Sequence, residues 1–280
     1  MKIKLNNKKI FLIIITLIIS ASLTTLIIQE ISKNYYIVNI NGDKTEDKHY
    51  KISSEIINYL ELKNISTKNI ENSLLEQIYW VERIKEGGLI LLFRHSEREK
   101  WNSSVEGFDA YELKNNYDAR NFSWYKATCL TEKGIEESKL INEAFKYAKI
   151  KISKVVSSPS CRAIETALYA FNRIDETFSG LLHYTAFHPL DRKKIGIELK
   201  KAVLNLKIID KKNIILSAHN KVISHHSFID EMQIDEGLSE SGFYIIEKTN
   251  GKLKVPFKFT NIKSFIILLY RHDFEINTYQ

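Results

Sequence analysis

The chain has 280 residues, a net charge of +7, three prolines and no Gly/Ser-rich linker, so its length and composition suit one ordinary domain with a substantial core. Lys2, Lys4, Lys8 and Lys9 precede an apolar run, and removing those four charges from +7 leaves +3 for all other residues. The basicity is therefore no argument for a nucleic-acid partner, and none is expected.

Ile10 to Gln29 carries no charge, is rich in Ile and Leu, and is closed by Glu30. Its length matches the roughly 20 residues needed to cross a bilayer core as a helix. With residues 1–9 as a basic cytoplasmic segment, the positive-inside rule puts the rest of the chain outside the cytoplasm. Residues 10–29 are thus expected to be a transmembrane signal anchor, with the membrane as a partner through this helix. A cleavable signal peptide ending near Ser20, Ala21 and Ser22 is the rival reading, and it makes the protein secreted. A buried core helix is disfavoured because the run has no polar face.

Residues 30–66 read as a polar, Asn/Lys-rich tether interrupted by a short helix around Ser54 to Leu62, and the domain proper is expected over 67–280. From Ile70, the positions Leu74, Ile78 and Val81 recur at helical spacing up to a stop at Gly87-Gly88. Three short apolar runs then read as buried strands: 88–93, 152–157 and 213–217. Between the first two lies an amphipathic helix near 131–148. After the second, Ser158 as N-cap and Pro159 at the first helical position open a helix with Ala163, Ile164, Ala167, Leu168 and Phe171 on one face. The segments 241–247 and 264–270 read as further strands. Strands alternating with amphipathic helices specify an α/β fold, a three-layer sandwich with a mainly parallel central sheet flanked by helices, and ligands in such sheets bind beyond the carboxyl ends of the strands.

The residues just past the three buried strands are informative. The first strand leads into Arg94, His95, Ser96, Glu97 and Arg98, the second into Ser158, Pro159, Ser160, Cys161 and Arg162, and the third into Ala218, His219 and Asn220. Each strand thus delivers an arginine or an imidazole to the ligand edge. Phosphoryl transfer needs such groups, because guanidinium forks bind phosphate oxygens bidentately and neutral imidazole is a nucleophile near physiological pH.

Four segments carry a family resemblance. ILLFRHSER, LTEKGIEESKLINEAF, VVSSPSCRAIETA and IILSAHN, in that order, resemble the motifs of the histidine phosphatase superfamily. The resemblance implies a phosphoglycerate mutase-like fold and a phosphohistidine intermediate on His95. It gives Arg94 and Arg162 the task of holding the phosphoryl group, with His219 hydrogen-bonding beside them. Arg98 matches the second arginine of the acid-phosphatase-like branch. Neither a metal nor an organic cofactor is expected. Similar proteins include lipopolysaccharide-associated phosphatases, so the expected substrate is a phosphorylated small molecule, in particular a sugar or glycan. A catalytically silent relative that binds a phosphorylated glycan or a surface protein is the alternative, and a mutase is a third reading.

The sequence departs from the family pattern at Ser96, where most relatives have glycine, and at Asn220, where glycine or aspartate is common. The first change is expected to crowd the loop and the second to remove a candidate proton donor. The general acid stays open among Glu97, Glu176, His183, His188 and Asp191. Cys129 and Cys161 are expected to pair as a disulfide, given export and a count of two. His225-His226 is not read as a metal site, because adjacent histidines point apart and lack a carboxylate at helical spacing. The aromatic cluster Phe122, Trp124 and Tyr125 reads as core in preference to a cleft lining.

Overall fold

The computed structural model describes residues 52–68, 70–99, 129–183, 187–225, 227–234 and 237–277. The anchor expected at 10–29, the cluster Phe122, Trp124 and Tyr125, and His226 lie outside the described residues. Among the described residues no helix is long and apolar enough to cross a membrane.

The helices are α1 (Ser54–Leu62), α2 (Asn72–Glu86), α3 (Glu132–Tyr147), α4 (Cys161–Phe171), α5 (Arg192–Asn205) and α6 (Ile262–Asn277). The strands are β1 (Ile90–Arg94), β2 (Ile152–Ser157), β3 (Glu176–Thr177), β4 (Asn213–Ala218), β5 (Glu231–Met232), β6 (Phe243–Thr249) and β7 (Lys252–Phe259). They form one seven-stranded mixed sheet in the order β3-β2-β4-β1-β6-β7-β5. β3, β2, β4 and β1 run parallel, while β6 is antiparallel to both β1 and β7. The carboxyl ends of β2, β4 and β1 therefore lie side by side at one edge.

Alternation along the strands sorts the core into two layers. Leu91, Phe93, Val155, Ile215, Phe243 and Ile245 face a cluster shared with α2, α3, α4 and α6. Ile90, Leu92, Val156, Ile214, Leu216 and Tyr244 face the other side, which is covered by Leu199 and Val203 of α5. Burial on both faces is why β1 and β4 read as continuous apolar runs.

Three expectations need correction. The stretch 264–270 is part of helix α6: Asn261 Oδ1 accepts from the Ser264 amide at 3.1 Å, and Ile262, Phe265 and Leu269 recur at helical spacing as the buried stripe. The N-cap of α4 is Ser160, so the helix opens two residues later than expected and Pro159 precedes it. The tether is shorter than 30–66, since a compact unit begins at Ile52 and Leu60 and Ile65 are buried in the core beside α2.

Candidate active site

β1 ends in the site because its ladder continues one residue past the strand. The His95 amide donates to the Ala218 carbonyl at the end of β4 (3.0 Å), and the His95 carbonyl accepts from the Ser241 amide at the start of β6 (3.1 Å). The backbone under His95 is thus held from both neighbouring strands. Its ring Nδ1 lies 2.8 Å from the Ser96 carbonyl oxygen. A carbonyl only accepts, so Nδ1 carries the proton and Nε2 keeps its lone pair. His95 is 4% exposed. Burial, first, and then the charges of Arg162, Arg94 and Arg98 hold its imidazole well below the ordinary histidine range, against the opposing bond to Ser96.

Of the other expected groups, His219 lies beside it, and Arg162, Arg94 and Arg98 act on its ring through their charge. The His219 ring packs edge-on against His95 with centroids 5.3 Å apart. His219 is 1% exposed, its Nε2 lies 3.1 Å from both the Ser158 and Ser160 hydroxyls, and its buried Nδ1 has no hydrogen-bond partner among the described residues. Burial, then Arg162, His95, His183 and Arg98, push its imidazole well below the ordinary range. Arg162 stands in the first turn of α4 and is itself buried. Arg94 is half-buried; it donates to the Leu238 carbonyl and has Glu240 3.7 Å away. Arg98 is joined by an isolated bridge to Leu130, the residue after Cys129.

Residues without a predicted role hold these groups in place. The Thr166 hydroxyl donates to the Arg162 carbonyl (2.8 Å) and accepts from the Ser96 amide (2.9 Å), tying the α4 arginine to the histidine loop. Its spacing, one turn after Arg162, is the only sequence signal for it. The Leu-Thr-x-x-Gly segment works by capping and close approach. Thr131 accepts from the Gly134 amide at 3.0 Å, and a Cβ on Gly134 would meet the Glu97 carbonyl oxygen at 2.0 Å. Only glycine lets α3 lie against the loop that bears His95.

Neither departure from the family pattern disturbs the site. The Ser96 side chain is fully buried but fits, its hydroxyl lying 2.8 Å from those of both Ser138 and Ser241. Ser241 donates onward to Glu137 (3.0 Å). The Ser138 hydroxyl also lies 2.9 Å from the Gly134 carbonyl, which only accepts, so the three hydroxyl protons are shared among four contacts. The Asn220 side-chain oxygen accepts from the Leu238 amide (2.9 Å), and the carbonyl of Leu238 is the acceptor for Arg94.

The expected disulfide is formed: Cys129 and Cys161 have Cα atoms 4.9 Å apart and a sequence separation of 32. It pins the strap before α3 to the residue adjoining Arg162. Among the described residues, the one cluster with metal-ligand spacing is this pair with Glu165, and the bridge leaves it no thiolate.

The candidate acids separate. Glu97 pairs with Lys133 and accepts from Thr131, at the start of α3. Glu176 is exposed and paired with Lys154. His188 is exposed, with Nδ1 accepting from the Leu190 amide, and Asp191 is exposed where α5 begins. His183 alone of the five is placed beside a site histidine, its ring centroid 6.2 Å from that of His219.

Residues 90–179 match the profile of the histidine phosphatase superfamily, branch 1. No curated protein matches the sequence. Similar solved structures include the protein histidine phosphatase SixA complexed with tungstate (16% identity, 61% of this chain and 96% of that one, TM-score 0.42). Others are YhfR from Bacillus stearothermophilus (16%, 64% and 98%, 0.41) and a phosphoglycerate mutase from Thermus thermophilus (14%, 61% and 98%, 0.37). At such TM-scores these likenesses add nothing to the fold, which rests on the sheet order. The matched segment runs from β1 to the turn after β3 and contains Arg94, His95, Arg98 and Arg162. Over that segment, residues 90–179, the sequence is similar to the histidine phosphatase superfamily, branch 1.

Proposed function

We propose that the chain is a phosphomonoesterase that works through a phosphohistidine on His95. The observation that carries this reading is the state of the His95 ring: Nδ1 is committed to the Ser96 carbonyl and burial keeps the imidazole uncharged, so Nε2 has a free lone pair. His95 Nε2 attacks phosphorus and the ester P–O bond breaks. Arg94, Arg98 and Arg162 offset charge on the equatorial oxygens, and the orphaned Nδ1 of His219 is a buried polar atom that a ligand would satisfy. Water then attacks phosphorus, the P–N bond breaks, and phosphate leaves.

The site of action follows from the N-terminal sequence and the cysteines. Residues 10–29 anchor the chain in a membrane with the catalytic domain on the extracytoplasmic side, in the periplasm or at the cell surface, and a disulfide suits that oxidising compartment. The preferred substrate is a phosphorylated sugar or glycan of the envelope, by the resemblance to lipopolysaccharide-associated phosphatases.

The test uses the full chain purified in a neutral detergent, assayed on a panel of phosphate esters beside His95→Ala. An acid-labile phosphoenzyme and turnover are expected for the wild type. The variant should lose the phosphoenzyme and on the order of a thousandfold or more in rate. Equal phosphate release by the two proteins overturns the reading. Ligand binding by the wild type without any phosphoenzyme would select the silent-relative alternative.

A further inference from the structure

We propose that His183 is the proton donor to the leaving group; this rests on the phosphohistidine reading above. The position of His183 is built into the fold. The Phe178 amide donates to the Ser157 carbonyl at the carboxyl end of β2 (2.9 Å), so the chain leaving β3 stays at the catalytic edge. A 3-10 turn at Ser179–Leu181 comes next, and Leu181 and Leu182 are both completely buried. Those two leucines fix the backbone from which His183 projects. The half-buried ring meets His219 edge-on (87° between planes), and His219 in turn meets His95. Two ring contacts thus link the three imidazoles, His219 touching the nucleophile His95 and also His183.

Of the other candidates, Glu97 is paired with Lys133, Glu176 with Lys154, and His188 Nδ1 accepts from the Leu190 amide, while Asp191 is exposed where α5 begins. An imidazolium suits the task because its ordinary titration range lies near neutrality, where it can both give a proton and take one back.

The steps balance. As the lone pair of His95 Nε2 forms the P–N bond and the ester P–O bond breaks, the His183 imidazolium gives a ring proton to the departing oxygen, which leaves as a neutral alcohol. Neutral His183 then takes a proton from water as the water oxygen bonds to phosphorus. The P–N bond breaks with its electron pair returning to His95, phosphate departs, and both histidines regain their starting states.

The experiment compares wild type and His183→Gln, as full-length proteins in detergent, on an alkyl ester (glycerol phosphate) and on p-nitrophenyl phosphate. The nitrophenolate leaves readily without a proton, whereas the alkoxide does not. Loss of a general acid costs typically about 10²- to 10⁴-fold. The variant should therefore lose about a hundredfold or more on glycerol phosphate while keeping p-nitrophenyl phosphate turnover within a few-fold, which also shows that it folds. Loss on the two esters that differs by less than about tenfold, or no loss on either, overturns the assignment. Formation of an acid-labile phosphoenzyme by the wild type with p-nitrophenyl phosphate separates this outcome from failure of the phosphohistidine reading itself.

Discussion

The parallel strands β1, β2 and β4 have a cationic group of residues at each end, and the two ends are built differently. At the carboxyl end, Arg162, His95 and His219 are at most 4% exposed, and the loop bearing His95 is clamped by Thr166, Ser138 and Ser241. At the amino end, a cleft of about 540 Å³ is lined by Lys63, Arg83, Lys149, Lys151 and Lys211 among others. There Lys149, Lys151 and Lys211 are exposed, while Lys63 and Arg83 are already paired with Glu86. Charge is similar at the two ends, and desolvation is not. Water screens exposed lysines, whereas buried guanidinium and imidazole groups act on one another at low effective dielectric. Burial and clamping, more than positive charge, mark the edge that carries the candidate site.

The largest expected effect comes from the covalent staple, which only the carboxyl end possesses. A bridge spanning a sequence separation of 32 contributes about 4 kcal/mol in the loop-entropy account. Urea unfolding of a Cys129→Ala/Cys161→Ala double variant should show a loss of that order, together with a lower yield of phosphoenzyme as Arg162 loses its neighbour's anchor. A loss below about 1 kcal/mol would mean that the clamp around His95 does not depend on the bridge.

Arg162 should matter next. Its guanidinium is buried beside both histidines and has no bulk water to replace it, so Arg162→Ala should lower kcat by roughly 10²- to 10³-fold, the usual consequence of removing one preorganised charge from a transition state. Single-turnover measurement of phosphoenzyme formation reads this directly. Retention of more than about a tenth of the wild-type rate would place the transition-state charge on Arg94 and Arg98 instead.

Burial of the two imidazoles also predicts a pH dependence of stability. Folded, His95 and His219 take up protons only well below the ordinary range; unfolded, they do so at about 6.5. Below pH 6.5 the unfolded chain therefore binds more protons than the folded one. Stability is full above that pH and falls as pH drops, by up to about 1.4 kcal/mol per pH unit for each histidine, until the folded-state values are reached. Urea midpoints between pH 7.5 and 5 test this, and His219→Asn should flatten the slope. An unchanged slope in that variant would remove His219 from the account.

Much of this was legible in the sequence because strong local signals and tertiary demands agree. β1, β2 and β4 are buried on both faces and bounded by glycine or polar turns, and α3 has its Thr131 cap and its stripe. The site was read from the residues standing just after those strands. The misreadings have particular causes. β7 alternates Leu253, Val255, Phe257 and Phe259 against lysines, but Pro256 interrupts it; the ladder with β6 shifts register between Ile245 and Glu247, next to that proline, and so absorbs the missing donor. α6 opens on Asn261 before a run so apolar that helix and strand periods cannot be told apart. In α5 only Gly196, Leu199 and Val203 are buried, too sparse a stripe to stand out. The links Ser138–Ser96, Ser96–Ser241 and Ser241–Glu137 span 42, 145 and 104 positions, and only the fold brings them together.

The smallest expected effect is the sharpest test of the contrast between the two ends. Replacing Lys149, Lys151 and Lys211 together with alanine removes three cations from the amino-end cleft, yet each is solvated and none takes part in the clamp around His95. Exposed substitutions of this kind change stability by no more than about 0.5 kcal/mol each. Lys149 and Lys211 also sit at positive φ (53° and 58°), where alanine is no better suited than lysine, so backbone strain should not shift the balance. Five or six residues of strand separate the cleft from His95, roughly 17–20 Å, beyond a Debye length at physiological salt. Turnover of p-nitrophenyl phosphate by the triple variant should therefore stay within about twofold of wild type, against the hundredfold or greater loss expected for the single Arg162→Ala change. A tenfold loss in the lysine variant would show that the field of the whole molecule, and not the buried arginines alone, sets the reactivity of His95.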